Sequence, residues 1–159
     1  MLPAGRARPG QHNDKKALKI IFKYYARRFK AVPCGVSQIG SSQLGYISVA
    51  ENQNLPFEVK RIYWTYYTPE SVERGGHSHY ELRQILVAMA GKIIINVETL
   101  DGLKEEFVLE HPHVGLYIPR NTWRTMKYSH SAVQMCIASC EYDEKDYIRD
   151  YEDFKKQGK

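Results

Sequence analysis

From Gly45 onward, apolar and polar residues alternate in short runs broken by turn residues, with a period close to two. Tyr46–Ala50 reads as one strand. Phe57–Thr68 reads as a longer strand, rich in aromatic and β-branched residues. On it Phe57, Val59, Arg61 and Tyr63 share one face, and Ile62, Trp64 and Tyr66 share the other. Leu82–Ala90 and Lys92–Glu98 follow as strands parted by Gly91, and Leu100-Asp101-Gly102 reads as a hairpin turn. Phe107–Leu109, Val114–Ile118, Trp123–Tyr128 and Ala132–Ser139 continue the pattern, and only from Asp143 to about Lys156 does a charged helix-like segment replace it. Many short strands, frequent turns and few helices predict an all-β jelly roll or β-barrel with a short C-terminal helical segment.

The 159 residues suffice for one domain with a real core. The formal net charge of +5 is unevenly placed. Residues 1–30 hold nine Lys or Arg against the single acid Asp14, whereas the remainder carries 14 bases and 17 acids. A nucleic-acid-binding fold spreads its cations over the folded surface, and this one does not. The chain therefore divides into a basic N-terminal extension, residues 1–37, expected to be partly disordered or helical, and a folded domain, residues 38–159. Residues 15–30 are basic and amphipathic; docking on the domain or on a second copy is favoured over contact with an anionic membrane. No run approaches the roughly 20 apolar residues of a membrane span, and three unpatterned cysteines do not make a disulfide framework. A cytoplasmic location is expected.

The run Arg74-Gly75-Gly76-His77-Ser78-His79 carries the candidate chemistry. Histidines two apart on a strand point the same way, and two imidazoles aimed at one spot hold a metal or move protons near neutral pH. The glycines before them permit a sharp turn and a close approach. Cys136 and Cys140 read as buried, inert thiols. His111, His113 and His130 fall in turns and receive no role.

From Gly76 the chain resembles the first cupin motif, with His77 and His79 as the HxH, Gln84 where the acid belongs, and Gly91 closing it. Pro119 to Arg124 resembles the second, with Arg124 in place of the histidine. Two of four ligand positions are lost and one becomes a cation, so no metal is expected. A closer resemblance is to the WxcM-like cupins that act as sugar 3,4-ketoisomerases on dTDP-4-keto-6-deoxyglucose. It rests on Glu51-Asn52-x-Asn54-Leu55-Pro56-Phe57, Lys60-Arg61-Ile62-Tyr63, Arg74-Gly75-x-His77-x-His79, Val114-Gly115-Leu116-Tyr117-Ile118-Pro119 and Tyr142-Asp143-x-x-Asp146-Tyr147-Ile148-Arg149-x-Tyr151, in that order.

The resemblance implies a cupin-type jelly roll and a shift of a ketone from C4 to C3 of the sugar through an enediol, with no cofactor. His77 is expected as the base at C3, His79 as its partner, and Tyr63 as an acid or proton relay, since groups titrating near neutrality suit this work. Arg74, Arg61, Arg124, Gln84 and Tyr117 are the expected substrate and nucleotide contacts; for Arg61 a surface salt bridge is an equal account. The resemblance also implies a homodimer with exchanged N-terminal strands, serving synthesis of an amino deoxysugar for a surface polysaccharide. Three departures stand out: Ser41-Ser42-Gln43-Leu44-Gly45 lacks the arginine of the family's D-x-R-G run, Arg124 replaces the histidine that follows the tryptophan in some members, and the basic N-terminal segment has no counterpart in the minimal family pattern. Competing readings are a 3,5-epimerase and a non-catalytic cupin that binds a nucleotide sugar.

Overall fold

The computed structural model describes residues 32–51 and 55–158, so the amphipathic segment 15–30 lies outside the described residues. Among the described residues twelve strands run in chain order: β1 (Val32–Gly35), β2 (Ser37–Ser41), β3 (Gly45–Val49), β4 (Arg61–Thr65), β5 (Arg74–His79), β6 (Gln84–Ala90), β7 (Ile93–Thr99), β8 (Lys104–Leu109), β9 (Val114–Ile118), β10 (Thr122–Tyr128), β11 (Val133–Ala138) and β12 (Tyr147–Ile148). A single turn of 3-10 helix, Glu144–Asp146, precedes β12, and one helix, α1 (Tyr151–Lys156), follows it.

The strands form two antiparallel five-stranded sheets, ordered β1-β9-β6-β11-β4 and β12-β5-β10-β7-β8, and β2 pairs with β3 as a separate hairpin. This is the jelly-roll sandwich that the alternation predicts. Leu86, Ala88, Ile93, Ile95, Val97, Leu116, Ile118 and Cys136 fill the space between the sheets. A second apolar cluster lies on the outer face of the first sheet, where Phe57 covers Ile85, Val87 and Ile137. No described helix is long and apolar enough to cross a membrane.

Two segments differ from the sequence-based expectation. The run 57–68 is a strand only over Arg61–Thr65. Phe57 instead folds onto the outer sheet face and is 7% exposed, and Tyr67, at φ 55, ends the strand at the other side. The segment from Asp143 to Lys156 is not one helix, because it contains two starts. The side chain of Asp143 accepts from Lys145 N to cap the 3-10 turn, and that of Asp150 accepts from Asp153 N to cap α1. Between them Tyr147 and Ile148 pair with His79 and Ser78. Phe154, fully buried, anchors α1, a burial that contributes about 1.5–3 kcal/mol.

Candidate active site

A cavity of about 380 Å³ lies between the sheets, on the side where β4 ends one sheet and β12 ends the other. Alternation along the strands turns Arg61, Tyr63 and Thr65 of β4, Arg124, Met126 and Tyr128 of β10, and Gln84 and Leu86 of β6 into it. His77 enters from β5, and Tyr142 and Tyr147 close over the opening from the C-terminal segment.

The two glycines aim the histidines. Gly75 and Gly76 have φ of +88° and +63°, which few residues with a side chain adopt. The register between β5 and β10 shifts here, as in a β-bulge. A Cβ on Gly75 would stand 2.5 Å from the carbonyl oxygen of Arg124, whereas one on Gly76 would meet open space. Gly75→Ala should therefore cost about 1–3 kcal/mol of stability and displace His77. Gly76→Ala should cost less, because only its backbone angle is strained. Thermal melts of the two variants check this; equal losses would mean that the close approach at Gly75 is unimportant.

His77 donates its Nδ1–H to the carbonyl of Gly75 at 2.9 Å. A carbonyl can only accept, so the tautomer is set and Nε2 keeps a free lone pair. Burial, reinforced by the Arg124 guanidinium, pulls its pKa down to about 4, so the ring is neutral and can accept a proton at ordinary pH. His79 is more deeply set, at 2% exposure. Its ring lies 5.2 Å from that of His77 and 4.2 Å from that of Tyr147. Its Nδ1 stands 3.1 Å from Oδ2 of Asp146, yet neither ring nitrogen has an aligned hydrogen-bond partner among the described residues. Burial is the main force holding its pKa below the ordinary value, with Arg124 and His77 adding to it. The backbone carbonyl of Asp146 pulls the other way but does not overcome burial. His79 is neutral too.

The cavity floor is a chain of hydrogen bonds. Arg124, 3% exposed, donates to the carbonyl of His77 at 3.2 Å and to Oε1 of Gln84 at 2.8 Å. That contact fixes the Gln84 amide, whose Nε2 then donates to the Tyr63 hydroxyl at 2.8 Å and to Cys136 Sγ at 3.4 Å. The Tyr63 oxygen is thus an acceptor toward Gln84, and its hydroxyl also meets the Cys136 thiol. Burial raises the Tyr63 pKa, so it remains a phenol. Burial likewise pushes the Cys136 thiol up to about 11, which fits an inert side chain. Arg124 is drawn down to about 10 by burial, still a cation at neutral pH. It has no ion pair with an acid among the described residues, and its Nε has no partner there.

This donor set does not suit a metal. Gln84 presents a carboxamide whose oxygen is already taken, and the guanidinium beside the histidine strand repels a cation. It does suit a developing negative charge.

Of the residues singled out in the sequence, His77, Tyr63, Arg61, Arg74, Gln84 and Arg124 line this cavity. His79 is packed behind it. Tyr117 is not among them: it faces the outer side of the first sheet, opposite Ile85, with its ring 6.3 Å from that of Phe57. Arg61 makes no surface salt bridge among the described residues. Its guanidinium is held over the rings of Tyr63 and Tyr142, 5.1 and 5.5 Å from their centroids. Tyr142, Tyr147 and Asp146 are neighbours of the cavity or of His79 to which sequence reasoning gave no role, although all three stand in the C-terminal motif. A wider groove of about 430 Å³ on the outer face of the second sheet is lined by Glu98, Lys104, Glu106, Trp123 and Tyr151. Its carboxylate Glu98 is taken up by Tyr151, Lys155 and Lys104, and no imidazole reaches it.

The family model described as WxcM-like, C-terminal (FdtA) matches residues 34–159. The chain is 39% identical over 121 residues to the TDP-4-oxo-6-deoxy-alpha-D-glucose-3,4-oxoisomerase of Aneurinibacillus thermoaerophilus, covering 75% of this chain and 86% of that protein. It is similar to the sugar 3,4-ketoisomerase QdtA of Thermoanaerobacterium thermosaccharolyticum, whose structure holds TDP, at 30% identity and a TM-score of 0.77 over 82% of this chain and 95% of that one. The TDP-quinovose 3,4-ketoisomerase WlaRB of Campylobacter jejuni is 34% identical, with a TM-score of 0.75 over 80% and 98%. A 4-keto-6-deoxy sugar epimerase of Streptomyces spheroides, 13% identical with a TM-score of 0.63, shares the fold alone. With a family model spanning nearly all of the described residues and a relative at 39% identity, the chain belongs to the WxcM-like FdtA family.

Proposed function

We propose that this protein is a nucleotide-sugar 3,4-ketoisomerase that converts a TDP-4-keto-6-deoxyhexose to its 3-keto isomer by acid–base proton transfer, in the synthesis of an amino deoxysugar for a surface polysaccharide. The observation that carries this reading is the convergence of neutral His77, the Tyr63 phenol and the Arg124 guanidinium, without an acid partner among the described residues, on one cavity. The relatives named above act on such sugars, and one family structure holds TDP.

The chemistry follows from these groups. The C4 ketone acidifies the hydrogen on C3, and Nε2 of His77 takes that proton. An enediolate forms across C3 and C4, and the buried Arg124 stabilises its oxygen. His79 takes up the C3 hydroxyl proton, with Tyr63 as relay. Two protons leave C3 and O3, two return to C4 and O4, and the ketone ends at C3 with no net oxidation. Arg61 and Arg74, on opposite strands at the opening, hold the diphosphate, because a guanidinium matches phosphate oxygens with paired hydrogen bonds.

Incubation with TDP-4-keto-6-deoxyglucose in D₂O, followed by NMR, tests the reading. Deuterium at C3 together with migration of the ketone supports it. Exchange at C5 points to an epimerase, and no exchange with any 4-keto nucleotide sugar leaves a binding protein. The pH profile should also be distinctive. A free imidazole titrates near 6.5 and His77 near 4, so kcat/KM should rise with pH through about 4 and be level through neutrality. An acid limb near 6.5 would place the base on an unburied group. The same shift makes the unfolded chain bind the extra proton first, so His77 lowers stability as pH falls from about 6.5 to about 4 and has no such effect above that window.

The protein also functions as a homodimer with exchanged N-terminal strands. The β2–β3 hairpin pairs with no other described strand and leaves Ile39, Tyr46 and Ile47 exposed. Ile62, Trp64 and Tyr66 form a further exposed apolar face that water disfavours. Light scattering should give twice the chain mass; a monomer counts against the pairing.

A further inference from the structure

Asp146 lies 67 positions beyond His79 in the chain, yet it meets the end of the histidine strand with both carboxylate oxygens and its carbonyl. Its Oδ1 accepts from Glu81 N at 2.7 Å, and its Oδ2 accepts from Leu82 N at 3.2 Å. Its own carbonyl accepts from Tyr80 N at 3.0 Å. The residue thus clamps the end of β5 to the C-terminal segment, and the clamp puts Oδ2 3.1 Å from Nδ1 of His79. A carboxylate is an acceptor only, and the two backbone N–H groups show that it is used as one. The ring nitrogen facing it must carry the hydrogen if the contact is to tighten, which catalytic contacts often do only once substrate is bound. The remaining nitrogen of His79, Nε2, is buried without a partner among the described residues, in a ring packed edge-on to that of His77.

We propose that Asp146 is a positioning residue that holds His79 as the Nδ1–H tautomer and so leaves Nε2 as the proton acceptor beside His77. This rests on the isomerase reading and deepens it: with Nε2–H the ring would have nothing to take up the C3 hydroxyl proton. The groups that face His79 are His77 on its own strand, Tyr147 of β12, Arg124 of β10, Arg61 of β4 and Asp146 itself. Among these Asp146 is the only acid. It alone can reward a hydrogen on Nδ1.

The test is ¹⁵N NMR of the histidine rings in the full chain saturated with TDP, for the wild type and for Asp146→Asn. In the variant the amide oxygen stays opposite Glu81 N, so the amide nitrogen replaces Oδ2 and presents hydrogens to His79 Nδ1. The wild type should show His79 with Nδ1–H, and the variant should show Nε2–H. With substrate, kcat of the variant should fall about 10–100-fold, the range for a residue orienting a functional histidine, with KM little changed. An Nε2–H tautomer in the wild type, or a variant with unchanged tautomer and unchanged kcat, overturns the proposal. If the variant does not fold, the wild-type spectrum still decides. The tautomer is read without turnover, so failure of the isomerase reading in the D₂O experiment is a separate result.

Discussion

His77→Asn is expected to abolish isomerisation while leaving the nucleotide bound. The amide nitrogen of asparagine can stand where Nδ1 stands and keep the 2.9 Å bond to the Gly75 carbonyl, so the strand end need not move. What disappears is the lone pair on Nε2. Loss of a positioned general base lowers the rate by about 10²–10⁴-fold, and C3–H is too weak an acid for water to replace it. Deuterium exchange at C3 separates the two imidazoles. Exchange should vanish in His77→Asn and persist at a reduced rate in His79→Asn, because only the former takes the carbon-bound proton. TDP titration by calorimetry should show the His77 variant binding as the wild type does. Unimpaired turnover removes His77 from the mechanism, and exchange lost only with His79 reverses the two roles.

Arg124→Met should separate catalysis from stability. Removing a donor that stabilises a developing oxyanion costs roughly 10²–10³ in kcat, about 2.7–4 kcal/mol. Removing the same group also relieves a buried cation that has no acid partner among the described residues. Replacing a buried charge by an apolar side chain of similar volume is often neutral or stabilising. Against this stands the loss of its bonds to Gln84 Oε1 and the His77 carbonyl. The net effect on the melting temperature should be small while kcat collapses. Thermal melts and steady-state rates on one preparation provide the check. If activity and melting temperature fall together, Arg124 is a structural strut; if kcat is unchanged, the oxyanion is held elsewhere.

Much of this site is legible in the sequence because it is local. The HxH needs only the alternation of one strand, and the Gly-Gly before it needs only backbone angles; both appear in β5 as the pattern predicts. The Asp-Gly turn lies between β7 and β8 for the same reason. Expectations fail where a residue's neighbour is distant in the chain. Tyr117 lies in a strand with buried residues on both faces, Gly115 on its own and Leu116 and Ile118 on the other. Polarity therefore gives no clue to which face looks into the cavity. Its inclusion with the substrate contacts follows the family motif, and pairing with β6 turns it outward. Asp143 and Asp150 show the opposite failure. Both are cap residues visible in the sequence, but a charged run with helical composition hides the two-residue strand between them.

By itself the sequence determined the sandwich, the paired imidazoles and the loss of a metal-binding donor set, since each depends on residue type and short spacing. Only the tertiary structure decided what those imidazoles are. Burial beside Arg124 keeps both neutral, the Gly75 carbonyl selects the tautomer of His77, and Asp146 comes to His79 from the far end of the chain. Protonation depends on desolvation and on charges across space, and these exist only once β5, β10 and β12 have been brought together.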